Sequence, residues 1–309
     1  MKILVTRGAG FIGSHLVKKL LEEGKEVIVA EELSRGKLEN LKELGVDTKK
    51  DIKYKQVDLR DYKQYLKITK SIEVVYRLAA RVGSIEYLHG SELAELRALQ
   101  DNLAIDANVF RACLKAKVKK IICVSSVSIY PIDKQQTYSV VISEDDLTYY
   151  NPERGYGWAK LLGEIQLKWM NIGSGIARIF NVYGSCKPLE ETAHVIPALI
   201  KKAILYPKVD LTVWGDGNQE RYFLYVSDCI DALIKLEDKA ATPPLIVNIG
   251  SDKPVNIKTI AEEIVKISGK DIKIKYDPTK PVGPLSRIAN IRKAKKILNW
   301  KPKIGLREG

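Results

Sequence analysis

Near its amino terminus the chain alternates short apolar runs with segments whose apolar residues recur at helical spacing. Lys2–Thr6 is a run built on Ile3, Leu4 and Val5; glycines follow, then helical spacing over 14–23, then a second run over 26–30. Strand, turn, helix and strand in that order predict a βαβ unit feeding a parallel sheet. Further strands are expected at 52–57, 72–77, 120–125, 175–182 and 245–249, with helical patterns between most of them. Among those patterns, 102–115 and 156–170 are apolar on more than one stripe. The predicted fold class is therefore α/β, a Rossmann-type doubly wound parallel sheet with helices on both faces.

Beyond Gly184 the pattern loosens. Residues 193–205 read as a helix, 211–214 as a short strand, 227–238 and 257–268 as helices, the proline-rich 276–284 as loop, and 292–298 as a short helix. This predicts a dinucleotide-binding domain over 1–182 with a return near 222–250. Residues 183–309 are expected to be mainly a smaller α/β substrate lobe over the sheet's carboxyl edge, where ligands bind in open α/β folds.

Composition adds a few bounds. The chain has 309 residues, 45% hydrophobic and 29% charged, as in soluble globular proteins, and no run approaches the roughly 20 apolar residues of a membrane span. The expectation is a cytoplasmic protein with no membrane partner. Cys113, Cys123, Cys186 and Cys229 lack metal-ligand spacing and there are only three histidines, so buried reduced thiols are expected rather than a metal site. The net charge of +13 is spread through the chain rather than clustered with aromatics, which argues against nucleic acid.

Three features carry candidate chemistry. Thr6-Arg-Gly-Ala-Gly-Phe-Ile-Gly13 places Gly10 and Gly13 where a backbone meets a pyrophosphate, with a helix starting near Phe11 to aim its amides at the phosphates. Glu31 ends the second strand 18 residues after Gly13, where a carboxylate can accept both adenosine ribose hydroxyls and repel a 2′-phosphate. NAD is thus favoured over NADP, although Arg35 keeps NADP open and Glu31-Glu32 could be a solvated turn. Asp58 could reach the adenine amino group or simply serve a turn. Finally, Tyr156 and Lys160 lie four apart on one helix face, so an ammonium can favour phenolate and make tyrosine a usable base. That spacing alone also occurs on ordinary surface helices; what strengthens it is its place behind the glycine turn, Glu31 and the Ser125-Ser126 pair.

Taken together, Ala9-Gly-Phe-Ile-Gly-Ser14, Leu78-Ala-Ala80, Ser125-Ser-Val-Ser-Ile-Tyr130, Tyr156-Gly-Trp-Ala-Lys160, Phe180-Asn-Val-Tyr-Gly184, Trp214-Gly-Asp-Gly-Asn-Gln219 with Arg221, and Asn248-Ile-Gly-Ser251 resemble the extended short-chain dehydrogenase/reductases. Within that superfamily the likeness is to the NAD-dependent nucleotide-sugar epimerase/dehydratase branch, over nearly the whole chain. The resemblance implies Tyr156 as base, Lys160 lowering its pKa and binding the nicotinamide ribose, and Ser126 hydrogen-bonding the reacting oxygen. It implies NAD held by Gly8, Gly10, Phe11, Ile12, Gly13, Glu31, Asp58, Leu59, Leu78, Ala79, Ala80, Tyr156 and Lys160. A nucleotide-diphosphate sugar would meet Ser128, Asn181, His194, Arg221 and Arg287, and a homodimer would form through the helices over 102–115 and 156–170.

Epimerisation at C4 is the simplest chemistry this implies. Ser125-Ser-Val-Ser-Ile-Tyr-Pro131 and the segment around His194 also resemble GDP-mannose 3,5-epimerases and GDP-fucose synthases, but Ser128 stands where those carry an acid/base cysteine. A GDP-sugar 3,5-epimerase or 4-ketoreductase is therefore the alternative, and a non-catalytic NAD or nucleotide-sugar binder is the alternative of another class. Two departures stand out: Arg7 replaces the fingerprint's first glycine, and Arg77 replaces a histidine before Leu-Ala-Ala. Arg7 could be held outward, pair with the pyrophosphate, or weaken NAD binding.

Overall fold

The computed structural model describes residues 1–187, 189 and 194–309. Its centre is a seven-stranded parallel sheet of β1 (Lys2–Thr6), β2 (Glu26–Glu31), β3 (Ile52–Gln56), β4 (Val74–Arg77), β5 (Lys120–Ser126), β6 (Gly173–Ile179) and β7 (Leu245–Ile249). The strand order β7-β6-β5-β4-β1-β2-β3 reverses at β1, opening a crevice at the carboxyl ends of β1 and β4. The doubly wound sheet expected from the apolar runs is the sheet observed.

Both faces of the sheet are covered, because its central strands β1 and β4 are buried along nearly their whole length, while the edge strand β3 is largely exposed. One face packs against α1 (Phe11–Glu22), α4 (Val226–Asp238) and the short helix Arg292–Leu298, through Leu16, Val17, Leu20, Leu233, Leu236 and Leu298. The other packs against Tyr62–Thr69 and the long helix α2 (Glu92–Ala116), which lies against α3 (Arg154–Trp169). α2 begins ten residues before the expected 102; of its opening turns only Ala98 is buried, while Leu93 and Leu96 stay exposed.

A second cluster of apolar residues lies beyond the sheet's carboxyl edge, between the helices Val195–Leu205 and Ile257–Ser268 and the paired strands Thr212–Trp214 and Lys275–Asp277. Residue Ala193, expected to open the first of these helices, lies outside the described residues; the helix starts at Val195 with His194 as its N-cap. Lys275–Asp277 also overlaps the stretch expected as loop over 276–284. The expected strand over 175–182 divides at Phe180: β6 stays in the main sheet, and Asn181–Tyr183 pairs instead with Phe223–Tyr225. A four-stranded sheet of Val141–Ile142, Glu220–Arg221, Val255–Asn256 and Ser286–Ala289 has no periodic signature, because its strands are two to four residues long and pair across the chain. All four cysteines are free, but only Cys113, Cys123 and Cys229 are buried; Cys186 is half-buried against the Asn40 carbonyl. Among the described residues no helix is long and apolar enough to cross a membrane.

One buried polar network ties the carboxyl ends of β5, β6 and β7 to α3. Glu164 accepts Ser125 Oγ at 2.5 Å and Arg178 Nη2 at 2.8 Å, while Arg178 Nη1 donates to Tyr130 Oη at 2.9 Å. Tyr130 in turn donates to Asn248 Oδ1 at 2.7 Å. Arg178 and Glu164 are both almost fully excluded from solvent. Glu164→Ala leaves that guanidinium buried without its counter-charge and is expected to cost about 3–5 kcal/mol of stability, read as a lowered urea midpoint. A loss under about 1 kcal/mol would mean that water reaches Arg178 and the network is not structural.

Candidate active site

The glycine turn is built for close packing. A Cβ at Gly13 would lie 2.2 Å from the Arg7 carbonyl oxygen, so only glycine lets α1 start this near β1, and one at Gly8 would lie 2.9 Å from Val29 Cγ1. The first amides of α1 lack partners within the helix, and no acidic residue stands in its first turn. Thr6 Oγ1 accepts the amides of Leu78 and Ala79 at 2.9 and 3.0 Å, holding Leu78-Ala-Ala80 beside this turn. At the end of β2, Glu31 is buried; its Oε1 accepts the amides of Glu32 and Leu33, and its Oε2 makes no hydrogen bond of ordinary geometry. Burial raises its carboxyl above the usual range, partly offset by Arg7. An orphaned acceptor beside a phosphate-sized cradle is what an adenosine ribose and its diphosphate would complete.

Arg7 keeps the left-handed backbone of the glycine it replaces, with φ +56°. Its guanidinium donates to the Ala80 carbonyl, and its Cγ lies 3.2 Å from where a Cβ on Gly10 would be. The stem therefore crosses the face of Gly10 and spans the crevice between β1 and β4. Burial lowers its pKa, with Glu31 acting in the opposite sense.

A cavity of about 520 Å³ continues from this turn. Gly10, Phe11, Ile12, Gly13, Leu78 and Ala80 line it, followed by Ser126, Ser128, Tyr156 and Lys160, and then Asn181, His194, Arg221 and Arg287. Of the other expected cofactor residues, Ala79 and Gly8 pack behind the wall, Leu59 sits in the core, and Asp58 is engaged by Arg60 at 2.8 Å.

Tyr156 and Lys160 stand on one face of α3, with Lys160 Nζ 5.8 Å from the Tyr156 ring centre and 2.8 Å from the Val124 carbonyl. Burial pushes the phenol up to about 12, tempered by a hydrogen bond with Ser126, and burial together with Arg77 pushes the amine down to about 7. Arg77 itself is sealed under the site in an ion pair with Asp106 of α2, and Gly163 leaves room for that carboxylate. In the protein without ligand, Tyr156 and Lys160 are thus both held towards their neutral forms.

The substrate-facing cations differ in how they are matched. Among the described residues Arg221 donates to the backbone carbonyls of Glu220 and Val282, and burial with Arg287 nearby lowers it to about 10. Asn181 Nδ2 is buried and unpartnered. Arg287, by contrast, is engaged by Glu153 at 2.7 Å and by Gln135 at 2.6 Å, so its grip on a diphosphate is already shared. Burial opposes a charge on Glu153, but Arg287 and Ser128 hold its carboxyl below the usual range. Lys187 also lines the cavity, donating to the Val182 carbonyl at 2.6 Å and lying 5.0 Å from the Phe11 ring; burial lowers it to about 7. Lys187 is in turn the main reason that the His194 imidazole falls below its ordinary value. Glu153, Lys187 and Asp106 carried no motif that a single sequence could expose; only the three-residue step from Glu153 to Tyr156 hinted at the first.

The family model described as NAD dependent epimerase/dehydratase family matches residues 3–250. GDP-mannose 3,5-epimerase of Arabidopsis thaliana is 30% identical over 314 residues, covering all of this chain and 80% of the relative. Among solved structures, UDP-glucose 4-epimerase of Thermotoga maritima with UDP-glucose superposes with a TM-score of 0.87 at 27% identity, covering 100% of this chain and 96% of that one. UDP-glucuronic acid 4-epimerase of Bacillus cereus, in complex with UDP-glucuronic acid and NAD, does so with a TM-score of 0.85 at 30% identity and the same coverage.

Because the Arg7 stem covers the face of Gly10 that a diphosphate must approach, Arg7→Gly is expected to tighten NAD binding by about tenfold, measured by calorimetry on cofactor-stripped protein. Weaker binding would instead make the guanidinium a phosphate ligand, and unchanged binding would mean that the stem does not obstruct the diphosphate.

Proposed function

The chain belongs to the NAD dependent epimerase/dehydratase family, and from that premise we propose that it inverts C4 of a nucleotide-diphosphate sugar through a transient keto sugar. The observation that carries this reading is that Ser126, Tyr156 and Lys160 open onto one cavity shared by the dinucleotide cradle and by Arg221 and Asn181. NAD, when bound, supplies the hydride acceptor and donor, and its cationic ring favours phenolate. Gly10, Gly13 and the start of α1 would hold its diphosphate, and Glu31 Oε2 its adenosine ribose.

Tyr156 takes the proton of the C4 hydroxyl as the carbon is oxidised and returns it to the oxygen when the carbon is reduced on its other face. Ser126 hydrogen-bonds the same oxygen throughout, and Lys160 steadies the phenolate and reaches the nicotinamide ribose. Arg221 and the Asn181 amide, both short of charged or polar partners, suit the sugar diphosphate. The keto sugar must turn within the cavity between the two half-reactions, and this step asks for no further acid or base.

A second reading, 3,5-epimerisation, is favoured by Lys187, an amine near neutrality beside His194 on the cavity wall. Ser128 offers no thiol acid to complement it. Exposed apolar residues on the paired helices, Leu93, Leu96 and Leu114 of α2 and Trp158, Leu162 and Trp169 of α3, support a homodimer through that face. We place the protein in the cytoplasm on its composition.

Tyr156→Phe is expected to lower turnover by at least about 10³-fold while leaving nucleotide-sugar binding within about threefold, measured by product analysis and calorimetry across UDP-, GDP-, dTDP- and ADP-sugars. Turnover in deuterium oxide should leave the ring carbons unlabelled. Deuterium at C3 or C5 would overturn the C4 reading in favour of the second, and undiminished turnover in the variant would remove Tyr156 from the mechanism.

A further inference from the structure

Glu153 is the N-cap of α3, but its side chain does not cap the helix. It turns into the cavity, where Oε2 accepts Ser128 Oγ at 2.8 Å and Arg287 Nη2 at 2.7 Å. The backbone fixes it there: the Glu153 amide donates to the Ser128 carbonyl at 2.8 Å, and a Cβ at Gly157 would fall 2.4 Å from the same carbonyl oxygen. The start of the catalytic helix is thereby pressed against the segment that follows Ser126.

Two consequences concern the sugar. A serine hydroxyl has one proton to donate, and Ser128 gives it to Glu153, so it has none for an anion. Arg287, the cation beside them, is matched by the same carboxylate. Meanwhile no described residue donates to Glu153 Oε1, which leaves an acceptor for a sugar hydroxyl. An additional carboxylate on the sugar at this wall would meet a like charge in a partly dry cleft, with the nearest cation already neutralised.

Resting on the proposed nucleotide-sugar reading, we infer that Glu153 makes this site selective for neutral hexoses, whose groups at this wall donate hydrogen bonds, and turns away uronic acids. Glu153 thus sets which sugars enter, through Ser128 and Arg287, rather than taking part in proton transfer at the reacting carbon.

The test is calorimetry on the NAD-loaded protein with two matched pairs, UDP-glucose against UDP-glucuronate and GDP-mannose against GDP-mannuronate. In at least one pair the neutral sugar should bind at least about tenfold tighter than its uronate. Glu153→Gln keeps the size of the side chain, removes its charge and frees that of Arg287, so the ratio should fall towards one, chiefly by a gain in uronate affinity. Equal binding of hexose and uronate by the unaltered protein would overturn the inference without needing the variant. So would a folded variant, checked by circular dichroism, that keeps the original ratio. If no nucleotide sugar of either pair binds more tightly than free UDP or GDP, the reading of the site itself fails and this inference with it.

Discussion

A guanidinium sealed from water at the carboxyl end of the sheet needs a counter-charge, and for Arg178 that charge is Glu164. The pair sits where three strands end and the catalytic helix passes over them, and through Ser125, Tyr130 and Asn248 it holds all four elements in register. Ser126 is the next residue after Ser125, and Tyr156 lies two turns before Glu164 on the same helix. The distance across which a hydroxyl proton would move is thus set by a network that touches no substrate. Asn248 extends it to the Ile142 carbonyl at 2.9 Å, so the small sheet that carries Arg221 and Arg287 is tied to the same point.

The same exclusion of water shapes the chemistry. Tyr156 and Lys160 are both buried, and burial drives a phenol and an amine in opposite directions, each towards its neutral form. Arg77 and Asp106 add a fixed ion pair beneath them, in place of the histidine common at that position in the family the sequence resembles. In the proposed mechanism a phenol so placed would become a base only when a positive charge is brought beside it, which would couple its strength to an occupied cofactor site.

The basic surface of the chain says little about the cleft. Within it, what matters is how each cation is already matched: Arg221 by neutral carbonyls, Lys187 by a carbonyl and a ring face, Arg287 by a carboxylate. A cation on neutral partners stays available to an incoming diphosphate, whereas one on a carboxylate does not, because desolvated charges pair at short range. Counting arginines along a sequence cannot separate these cases.

The central strands of the main sheet were legible in the chain because a strand buried on both faces carries a run of apolar residues, as β1 does at Ile3-Leu-Val5 and β2 at Val27-Ile-Val-Ala30. The glycines at 8, 10 and 13, the Tyr156 to Lys160 step and Ser126 were legible for a related reason: tight turns and one helix face impose their residue types locally. The break at Phe180 and the strands of the small sheet were not, since each depends on partners distant in sequence. Local pattern also could not say what Arg7 does with φ +56°, nor that Glu153 leaves its helix cap for Ser128 and Arg287. The sequence by itself determined the sheet, the glycine turn and the placing of Tyr156 and Lys160 on one helix face, because these are written in short-range spacing. Only the tertiary structure decided which charges in the cleft are spent and which are free, because that depends on groups as far apart in the chain as Glu153 and Arg287 meeting on one cavity wall.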